Sequence, residues 1–332
     1  MNTKKTIRVI ATHTAGQPTR TVLTGFPHIP GNTMQEKYLY MQEHADWLRT
    51  MVCQEPRGSD IMSGAIITAP CSKEADFGVL HFEAAGWLPM CGHNTIGVCT
   101  ALIEEGLVDV QEPVTRLTLE TPLGLVRASI DVENGTATKV CFQGAPSFAL
   151  LQDATVKTDA WGDVPVDISW GGSAVAFVPA AVFGRTPCVE HATFFAETAV
   201  KLRAMINEQL PICDARLPDI KGISHVAFYQ DGDPMRHVVV GPDGQCDRSP
   251  CGNGTCARAG LLHAQGRLKA GEGFEQRSVI DSAFVCKCAE ETQVGNAPAI
   301  IPEISGRAWV TAYSTYVMDE TDPFAQGFSL TL

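Results

Sequence analysis

The feature of this 332-residue chain that most limits its possible folds is a short motif that occurs twice, about half a chain apart. The first copy is MCGHNTIGVCTALIEEG, over residues 90–106, and the second begins with DRSPCGNGTCARAG, over residues 247–260. When the two cysteines are aligned, five positions coincide: Cys91/Cys251, Gly92/Gly252, Thr95/Thr255, Leu102/Leu262 and Gly106/Gly266. Two similar halves related by a pseudo-twofold axis explain this repeat most simply.

The order of the predicted elements supports the same duplication. In each half, strand-like runs precede a long amphipathic segment, further strand-like runs follow, and a Cys-Gly motif then leads into a helix. The amphipathic segments are residues 33–53, with helical spacing throughout, and residues 191–210. Alternation around turn signals predicts a β-meander over residues 117–142, and we expect short strands in the C-terminal third. The sequence therefore predicts an α/β (α+β) chain with two pseudo-symmetric domains.

Composition and charge exclude several classes of protein. Hydrophobic residues make up 45% and charged residues 19%, which is typical of a globular chain rather than a disordered one. The net charge of -12 argues against nucleic acid, whose phosphates are bound largely by Lys and Arg. The N-terminal apolar run stops after Ala11, too short for a signal peptide, and Pro179 interrupts the longest apolar stretch. We therefore expect a cytoplasmic protein with no membrane partner.

Each motif combines a cysteine with the predicted start of a helix. The segments after Cys91 and Cys251 carry Ala and Leu and have no internal proline, and Ser249 and Pro250 suit the N-cap and first position of the second helix. Amide N–H groups at a helix N-terminus lower a thiol pKa from about 8.5 towards roughly 3.5–7.5. Adjacent glycines let the backbone approach a bound anion closely.

Four interpretations of the cysteines compete. A disulfide between Cys91 and Cys251 requires the two halves to face each other, and a reducing cytosol disfavours it. A zinc site has weak support, because Cys246, Cys251 and Cys256 are five residues apart rather than in CxxC pairs. A phosphate loop would need a Walker or dinucleotide pattern, and the sequence has neither. The repeat directly supports the fourth interpretation, two reactive thiols that flank a small anionic substrate.

Motifs along nearly the whole chain resemble those of the proline racemase family. They are THTAGQPTR, GNTM, EPRG, DFGVLHF, MCGHNTIG, WGGS, DRSPCGNGT and DPFAQGF. The resemblance implies a fold like that of diaminopimelate epimerase, in which two domains of mixed strands each wrap round a central helix and the active site lies in the interdomain cleft. It also implies that no cofactor and no metal is needed. The expected domains are residues 1–130 with about 305–332, carrying Cys91, and residues 131–304, carrying Cys251.

The family pattern implies roles for individual positions. Cys91 and Cys251 would be the two catalytic bases, and Asp247 would hold the substrate ammonium. By the same match, the substrate carboxylate is held largely through backbone N–H groups at Gly92, His93, Gly252 and Asn253. His93 has an alternative interpretation as a residue satisfied by the backbone at the start of its helix.

The chemistry of racemisation agrees with this assignment. The Cα proton of an amino acid is removed on one face and returned on the other, so one base and one acid on opposite faces suffice. One sulfur must begin as the thiolate and the other as the thiol, and coupled titration around a shared anionic substrate can enforce that difference. The developing enolate needs fixed positive dipoles, which helix N-termini supply.

The expected substrate is a proline-type amino acid, and the motifs give mixed signals about which one. Cysteine at both positions disfavours the trans-3-hydroxyproline dehydratases, which typically carry threonine at the second. FPHIPGNTM and EADFGVLHF are similar to proline racemases. However, no aromatic residue closely precedes Asp247, and His225 matches a histidine typical of the hydroxyproline enzymes, where a ring nitrogen could bond a hydroxyl. We therefore expect a 4-hydroxyproline 2-epimerase, with proline racemase as the alternative.

Three positions depart from the family pattern and bear on the choice of substrate. Gln17 stands where Glu is usual, Ser59 where His is common, and Asn94 where Gly is frequent. An alternative from another class is a binding protein that kept the fold and lost activity, which the presence of both cysteines and Asp247 disfavours. The expected partners are a small-molecule substrate and, in a homodimer, a second copy of the chain, with no nucleic acid and no membrane.

Overall fold

The computed structural model describes residues 4–212, 214–217 and 220–330 and has two compact units. The first comprises Met1–Phe142 and Gly306–Leu332, and the second comprises Gln143–Ser305. The boundary expected near residue 130 falls inside a strand, Gly124–Glu133, that pairs with the next strand, Thr136–Gln143. The boundary between the units therefore lies further along the chain than expected, because the whole meander belongs to the first unit.

Both units contain helices and strands. The helices are α1 (Met34–His44), α2 (Asp46–Cys53), α3 (Gly92–Glu104), α4 (Ala192–Gln209) and α5 (Gly252–Ala264). The strands of the first unit are β1 (Lys5–Thr14), β2 (Gln17–Thr24), β3 (Ser63–Thr68), β4 (Phe77–Glu83), β5 (Trp87–Leu88), β6 (Val114–Thr121), β7 (Gly124–Glu133) and β8 (Thr136–Gln143). Those that follow are β9 (Phe148–Thr158), β10 (Gly162–Trp170), β11 (Ala174–Pro179), β12 (His225–Gln230), β13 (Met235–Val240), β14 (Gly273–Arg277), β15 (Ala283–Val294), β16 (Ala297–Gly306) and β17 (Ala308–Met318).

The first unit has a mixed sheet and a buried central helix. β1 pairs antiparallel with both β2 and β17, whereas β2 pairs parallel with β3. β4 is antiparallel to β3 and parallel to β6, and β6, β7 and β8 form the predicted meander. Every residue of α3 from Gly92 to Ile103 is buried. A Cβ atom at Gly97 would lie 2.8 Å from Thr12 Oγ1, so a glycine is what allows α3 to lie this close to β1.

The second unit is built in a similar way. β9, β10 and β11 are joined antiparallel, β11 pairs parallel with β12, and β12 pairs antiparallel with β13. β14, β15 and β16 then continue as antiparallel neighbours. α5 is largely buried and contacts β9, β10, β11 and β15. The expectation of an α/β fold with mixed strands is therefore confirmed for both units.

Helices α3 and α5 share their length and the geometry of their ends. Each has 13 residues. After α3, the Leu107 N–H donates to the Leu102 carbonyl over 3.0 Å, and after α5 the Arg267 N–H donates to the Leu262 carbonyl over 2.8 Å. This six-to-one hydrogen bond is the Schellman cap, which needs a residue with positive φ. The repeated glycines provide it, at φ 65° in Gly106 and 71° in Gly266.

Two local predictions are wrong. Residues 33–53 form two helices and not one continuous helix, because Ala45 leaves the helical conformation (φ -140°). The second helix, α2, begins at Asp46, whose carboxylate accepts hydrogen bonds from the Arg49 and Trp87 side chains. The C-terminal third has long strands rather than short ones, with 12 residues in β15, 10 in β16 and 11 in β17. A register shift between Cys288 and Glu290 allows β15 to continue past an irregular point.

No helix in the described part of the chain is long and apolar enough to cross a membrane.

Candidate active site

Cys91 lies at the start of α3. It is the N-cap residue of this helix, with extended backbone (φ -145°), and its side chain is buried. The Thr95 N–H and hydroxyl both donate to the Cys91 carbonyl, over 3.0 and 2.8 Å, which closes the first helical turn. The amides of Gly92 and His93 belong to this first turn, where backbone N–H groups have no partner within the helix. This is the environment that the sequence predicted for Cys91.

The His93 side chain contacts the Cys91 sulfur. The distance from Cys91 Sγ to His93 Nδ1 is 3.4 Å, and on the other side of the ring Nε2 lies 2.7 Å from Ser63 Oγ. Burial lowers the pKa of His93 to about 4, so the ring is neutral at neutral pH. The sequence predicted that the backbone N–H of His93 binds the substrate carboxylate. In the structure, the His93 ring contacts the Cys91 sulfur and the Ser63 hydroxyl.

Ser63 is a residue that the sequence analysis missed. It opens β3, is almost completely buried, and contacts His93, Asn94 and the Pro18 carbonyl. A polar residue at the start of an apolar strand, in MSGAIIT, is the one local signal it leaves in the sequence. That signal does not name a partner, because His93 lies 30 positions away along the chain.

Cys251 is the N-cap residue of α5. Its sulfur accepts a hydrogen bond from the Gly254 N–H over 3.4 Å, and its side chain is buried. Its φ of 59° is in the left-handed region, which is uncommon for a residue with a side chain. The predicted N-cap, Ser249, is therefore wrong by two residues. The Ser249 hydroxyl instead accepts from the Cys251 N–H over 3.1 Å, because the chain turns at Cys251 before the helix starts.

Asp247 lies close to Cys251. One carboxylate oxygen accepts hydrogen bonds from the N–H and the hydroxyl of Ser249, both over 2.8 Å. Burial raises the pKa of Asp247 to about 6, although hydrogen bonds from Ser249 and Cys251 and the charge of Arg248 act in the opposite direction. The hydrogen bonds from Ser249 thus hold the carboxylate at a defined place.

A glycine pair packs against the start of α5. Gly171 and Gly172 belong to the WGGS motif between β10 and β11. A Cβ atom at Gly171 would lie 2.2 Å from the Ala257 amide nitrogen, and one at Gly172 would lie 2.9 Å from Asn253 Oδ1. The motif therefore allows a close approach to the first turn of α5, where Gly252 is buried and Asn253 is partly exposed.

His225 begins β12, and its ring is held at one nitrogen. Nδ1 lies 2.7 Å from Ser224 Oγ. Burial, together with the positive charge of Arg203, lowers the pKa of His225 to about 4, so this ring is also neutral at neutral pH.

The arrangement is suited to proton transfer by sulfur. Each unit places a buried cysteine at the N-terminus of its central helix, and the cysteines of the described chain form no disulfide bonds. Burial raises the pKa values of two further cysteines in these helices, Cys99 and Cys256, to about 12, so these thiols stay protonated. The structure describes Cys91 with Gly92 and His93 in the first unit and His225, Asp247, Cys251, Gly252 and Asn253 in the second.

Comparison with known proteins identifies the family. The family model for proline racemase matches residues 9–329. The chain is 41% identical to a proline racemase of Clostridioides difficile and 42% identical to a 4-hydroxyproline 2-epimerase of Streptosporangium roseum, in both cases over 99% of this chain and 100% of the relative. A solved structure of a hydroxyproline epimerase from Agrobacterium vitis, with bound trans-4-hydroxy-L-proline, matches with a TM-score of 0.91 and 32% identity, covering 100% of this chain and 96% of that one. The chain therefore belongs to the proline racemase family and is an isomerase of the racemase and epimerase type.

Proposed function

We propose that this protein is a 4-hydroxyproline 2-epimerase that converts trans-4-hydroxy-L-proline into cis-4-hydroxy-D-proline with two cysteines and no cofactor. The observation that carries the proposal is the repeated environment of Cys91 and Cys251, each a buried N-cap residue of an equivalent 13-residue helix. A two-thiol reaction needs two such sulfurs, and the family to which the chain belongs supplies the reaction class.

In the proposed mechanism, one sulfur starts as the thiolate and removes the Cα proton, while the other starts as the thiol and returns a proton to the opposite face. Asp247 binds the ring ammonium, which keeps positive charge next to the carbanion. Backbone N–H groups at Gly92, His93, Gly252 and Asn253 hold the carboxylate as it gains enolate character. The bond broken on one face and the bond formed on the other are both C–H bonds, so no redox partner is required.

The choice of 4-hydroxyproline rests on His225 and on the absence of an aromatic residue just before Asp247. A neutral imidazole can donate to or accept from a hydroxyl, whereas an aromatic wall would suit the apolar ring of proline. The hydroxyproline-bound Agrobacterium vitis structure and the Streptosporangium roseum epimerase support this substrate. Proline racemase is the second candidate, because a proline racemase is related at 41% identity.

The reaction is tested by replacing each thiol. We expect Cys91→Ser and Cys251→Ser each to reduce epimerisation by several orders of magnitude, since a serine hydroxyl is a far weaker acid than a thiol and supplies almost no anionic base near neutral pH. The measurement follows exchange of the Cα hydrogen with deuterium from solvent, together with polarimetric turnover, for L-proline, trans-4-hydroxy-L-proline and their epimers.

Cys99→Ser in α3 and Cys256→Ser in α5 are matched controls, because they make the same change in the same helices at buried, protonated thiols. Both controls should keep activity on the scale of the native enzyme. Near-native turnover in either Cys91→Ser or Cys251→Ser would rule out the two-thiol mechanism.

The substrate is tested at His225. A buried hydroxyl without a partner costs about 1–3 kcal/mol, which corresponds to roughly tenfold discrimination or more. The native enzyme should therefore have a higher kcat/KM for trans-4-hydroxy-L-proline than for L-proline, and His225→Phe should narrow or reverse that ratio. His225→Gln, which keeps a polar group, should retain more of the preference. A native preference for L-proline would make the enzyme a proline racemase.

A further inference from the structure

The contacts of the Ser63 hydroxyl determine which of its neighbours must be a donor. Oγ lies 2.7 Å from the Pro18 carbonyl oxygen, 2.9 Å from Asn94 Oδ1 and 2.7 Å from His93 Nε2. A serine hydroxyl has one proton to donate and lone pairs with which to accept. A carbonyl oxygen can only accept, so the hydroxyl proton must be directed at the Pro18 or Asn94 oxygen.

The orientation of the Asn94 amide confirms that its oxygen faces Ser63. Its Nδ2 donates to the Gly64 carbonyl over 3.0 Å, and its Oδ1 accepts from the Thr19 hydroxyl over 2.9 Å. Asn94, Thr19 and Ser63 are all almost completely buried, so no bulk water can substitute for these partners. The amide therefore offers Ser63 an acceptor and not a donor.

With its proton used in this way, Ser63 can bond His93 only by accepting from it. Nε2 of His93 must then carry the hydrogen. Because a neutral imidazole has one N–H group, Nδ1 is left with its lone pair, and Nδ1 is the nitrogen nearest the Cys91 sulfur. An acceptor at this position favours a hydrogen on the sulfur, that is, the thiol.

Cys251 has a different set of contacts, because its thiol hydrogen-bonds the Asp247 carboxylate instead of a neutral imidazole. Its sulfur accepts the Gly254 N–H at the start of α5, and this contact favours a negative charge on the sulfur. Asp247 is the charged group beside it that opposes a thiolate, and the guanidinium of Arg248 lies close enough to act on Asp247. The substrate ammonium, once bound at Asp247, offsets the repulsion from that carboxylate. The buried ring of His81, near His93, is neutral as well.

We infer that Ser63 is a positioning residue that holds His93 as the Nε2–H tautomer, so that Cys91 waits as the thiol and Cys251 becomes the thiolate once the substrate ammonium binds at Asp247. The assignment rests on the proposed two-thiol function for its catalytic meaning. It gives the two chemically identical side chains different starting states, and it names the residue network, Ser63 with Asn94, that creates the difference.

The tautomer is measured directly by NMR of protein labelled with 15N at histidine, with the His93 signals assigned by their loss in His93→Gln. We expect a protonated Nε2 and an unprotonated Nδ1 in the native enzyme. Ser63→Ala should shift His93 towards a mixture of tautomers, and Ser63→Thr, which keeps the hydroxyl, should restore the native pattern. A native His93 with the hydrogen on Nδ1 would overturn the inference.

The thiolate is identified by the rates at which limiting iodoacetamide labels each cysteine, followed by mass spectrometry. Cys91 and Cys251 are 6% and 8% exposed, so unequal access does not decide the comparison. A difference of one pKa unit gives about a tenfold difference in thiolate. Ser63→Ala should therefore raise the labelling rate at Cys91 by up to about tenfold, whereas the rate at Cys251 should not change. An unchanged rate at Cys91 in Ser63→Ala would contradict the assignment.

Kinetics separate this role from a purely structural one. Ser63→Ala should lower kcat by about threefold to tenfold, the range expected for one lost hydrogen bond, and should alter its pH profile with little change in KM. Ser169→Ala, which removes another buried hydroxyl bonded to a backbone carbonyl, is the control and should leave that profile unchanged. The NMR and labelling results need no turnover, so they decide the inference even if no proline derivative is epimerised.

Discussion

At the scale of single residues, the chemistry depends on which buried groups carry charge near neutral pH. His93 and His225 have pKa values lowered to about 4 and are neutral, whereas Cys99 and Cys256 have values raised to about 12 and are protonated. Asp247 differs from these because its pKa is raised to about 6. A change of one pH unit around that value therefore alters its charge.

The pH dependence of catalysis should reflect Asp247. The proposed contact with the substrate ammonium requires the carboxylate, so kcat/KM should fall as the pH is lowered through about 6. The raised pKa has the opposite effect on folding: protonation favours the native state, and the contribution is lost as the pH rises through about 6. Acid inactivation at this pH should thus occur without unfolding, which circular dichroism at each pH can check.

Asp247→Asn tests whether Asp247 causes this pH dependence. It should lower kcat/KM by about tenfold to a hundredfold, because hydrogen bonds to charged groups contribute about 1.5–3 kcal/mol, and the inflection near pH 6 should disappear. If the inflection remains in this variant, another group is responsible for it.

At the scale of elements, α3 and α5 can be central helices because small residues face the strands around them. Gly97 lies against Thr12 in the first unit, and Gly260 lies against the backbone of Ser147 and Phe148 in the second. The cysteines at the starts of these helices keep their positions only if the helices stay where these close contacts place them. Packing along each helix is therefore a condition for the geometry at its N-terminus.

Gly260→Ala tests this packing. The new Cβ would lie 2.6 Å from the Phe148 amide nitrogen, and backbone atoms cannot rotate away. Overpacking costs about 1–3 kcal/mol, against a gain in helix propensity of up to about 1 kcal/mol, so we expect a net loss of unfolding free energy. The midpoint of urea unfolding at constant m-value measures it. Gly86→Ala is the control: nothing lies within 4 Å of its Cβ, and an unchanged midpoint in both variants would contradict the packing argument.

At the scale of the whole molecule, the net charge of -12 has the wrong sign for a substrate that carries a carboxylate. Charges on the surface are screened beyond about 8 Å at physiological ionic strength, whereas backbone N–H groups act at hydrogen-bond distance. Each unit supplies such groups at the start of its central helix. In the proposed function, recognition of the anion therefore depends on these local dipoles and not on the global charge.

The sequence by itself determined the features that depend on neighbours along the chain. The Cys-Gly motifs predicted two helices that begin beside Cys91 and Cys251, and alternation predicted the meander. Capping and periodicity act over a few residues, so a short stretch contains all the information they need. The motifs were also sufficient to indicate the family.

Tertiary structure alone decided the features that depend on partners far apart in sequence. Ser63 is 30 positions from His93, and Asn94, noted in the sequence as a departure, finds its partners in β2 and β3. The N-cap residue of α5 is Cys251 and not the predicted Ser249, because the chain turns at Cys251 with positive φ. Burial, which sets the pKa of Asp247, is a property of packing. Long-range hydrogen bonds and desolvation exist only once the strands are assembled round the helices, and no local pattern can encode them.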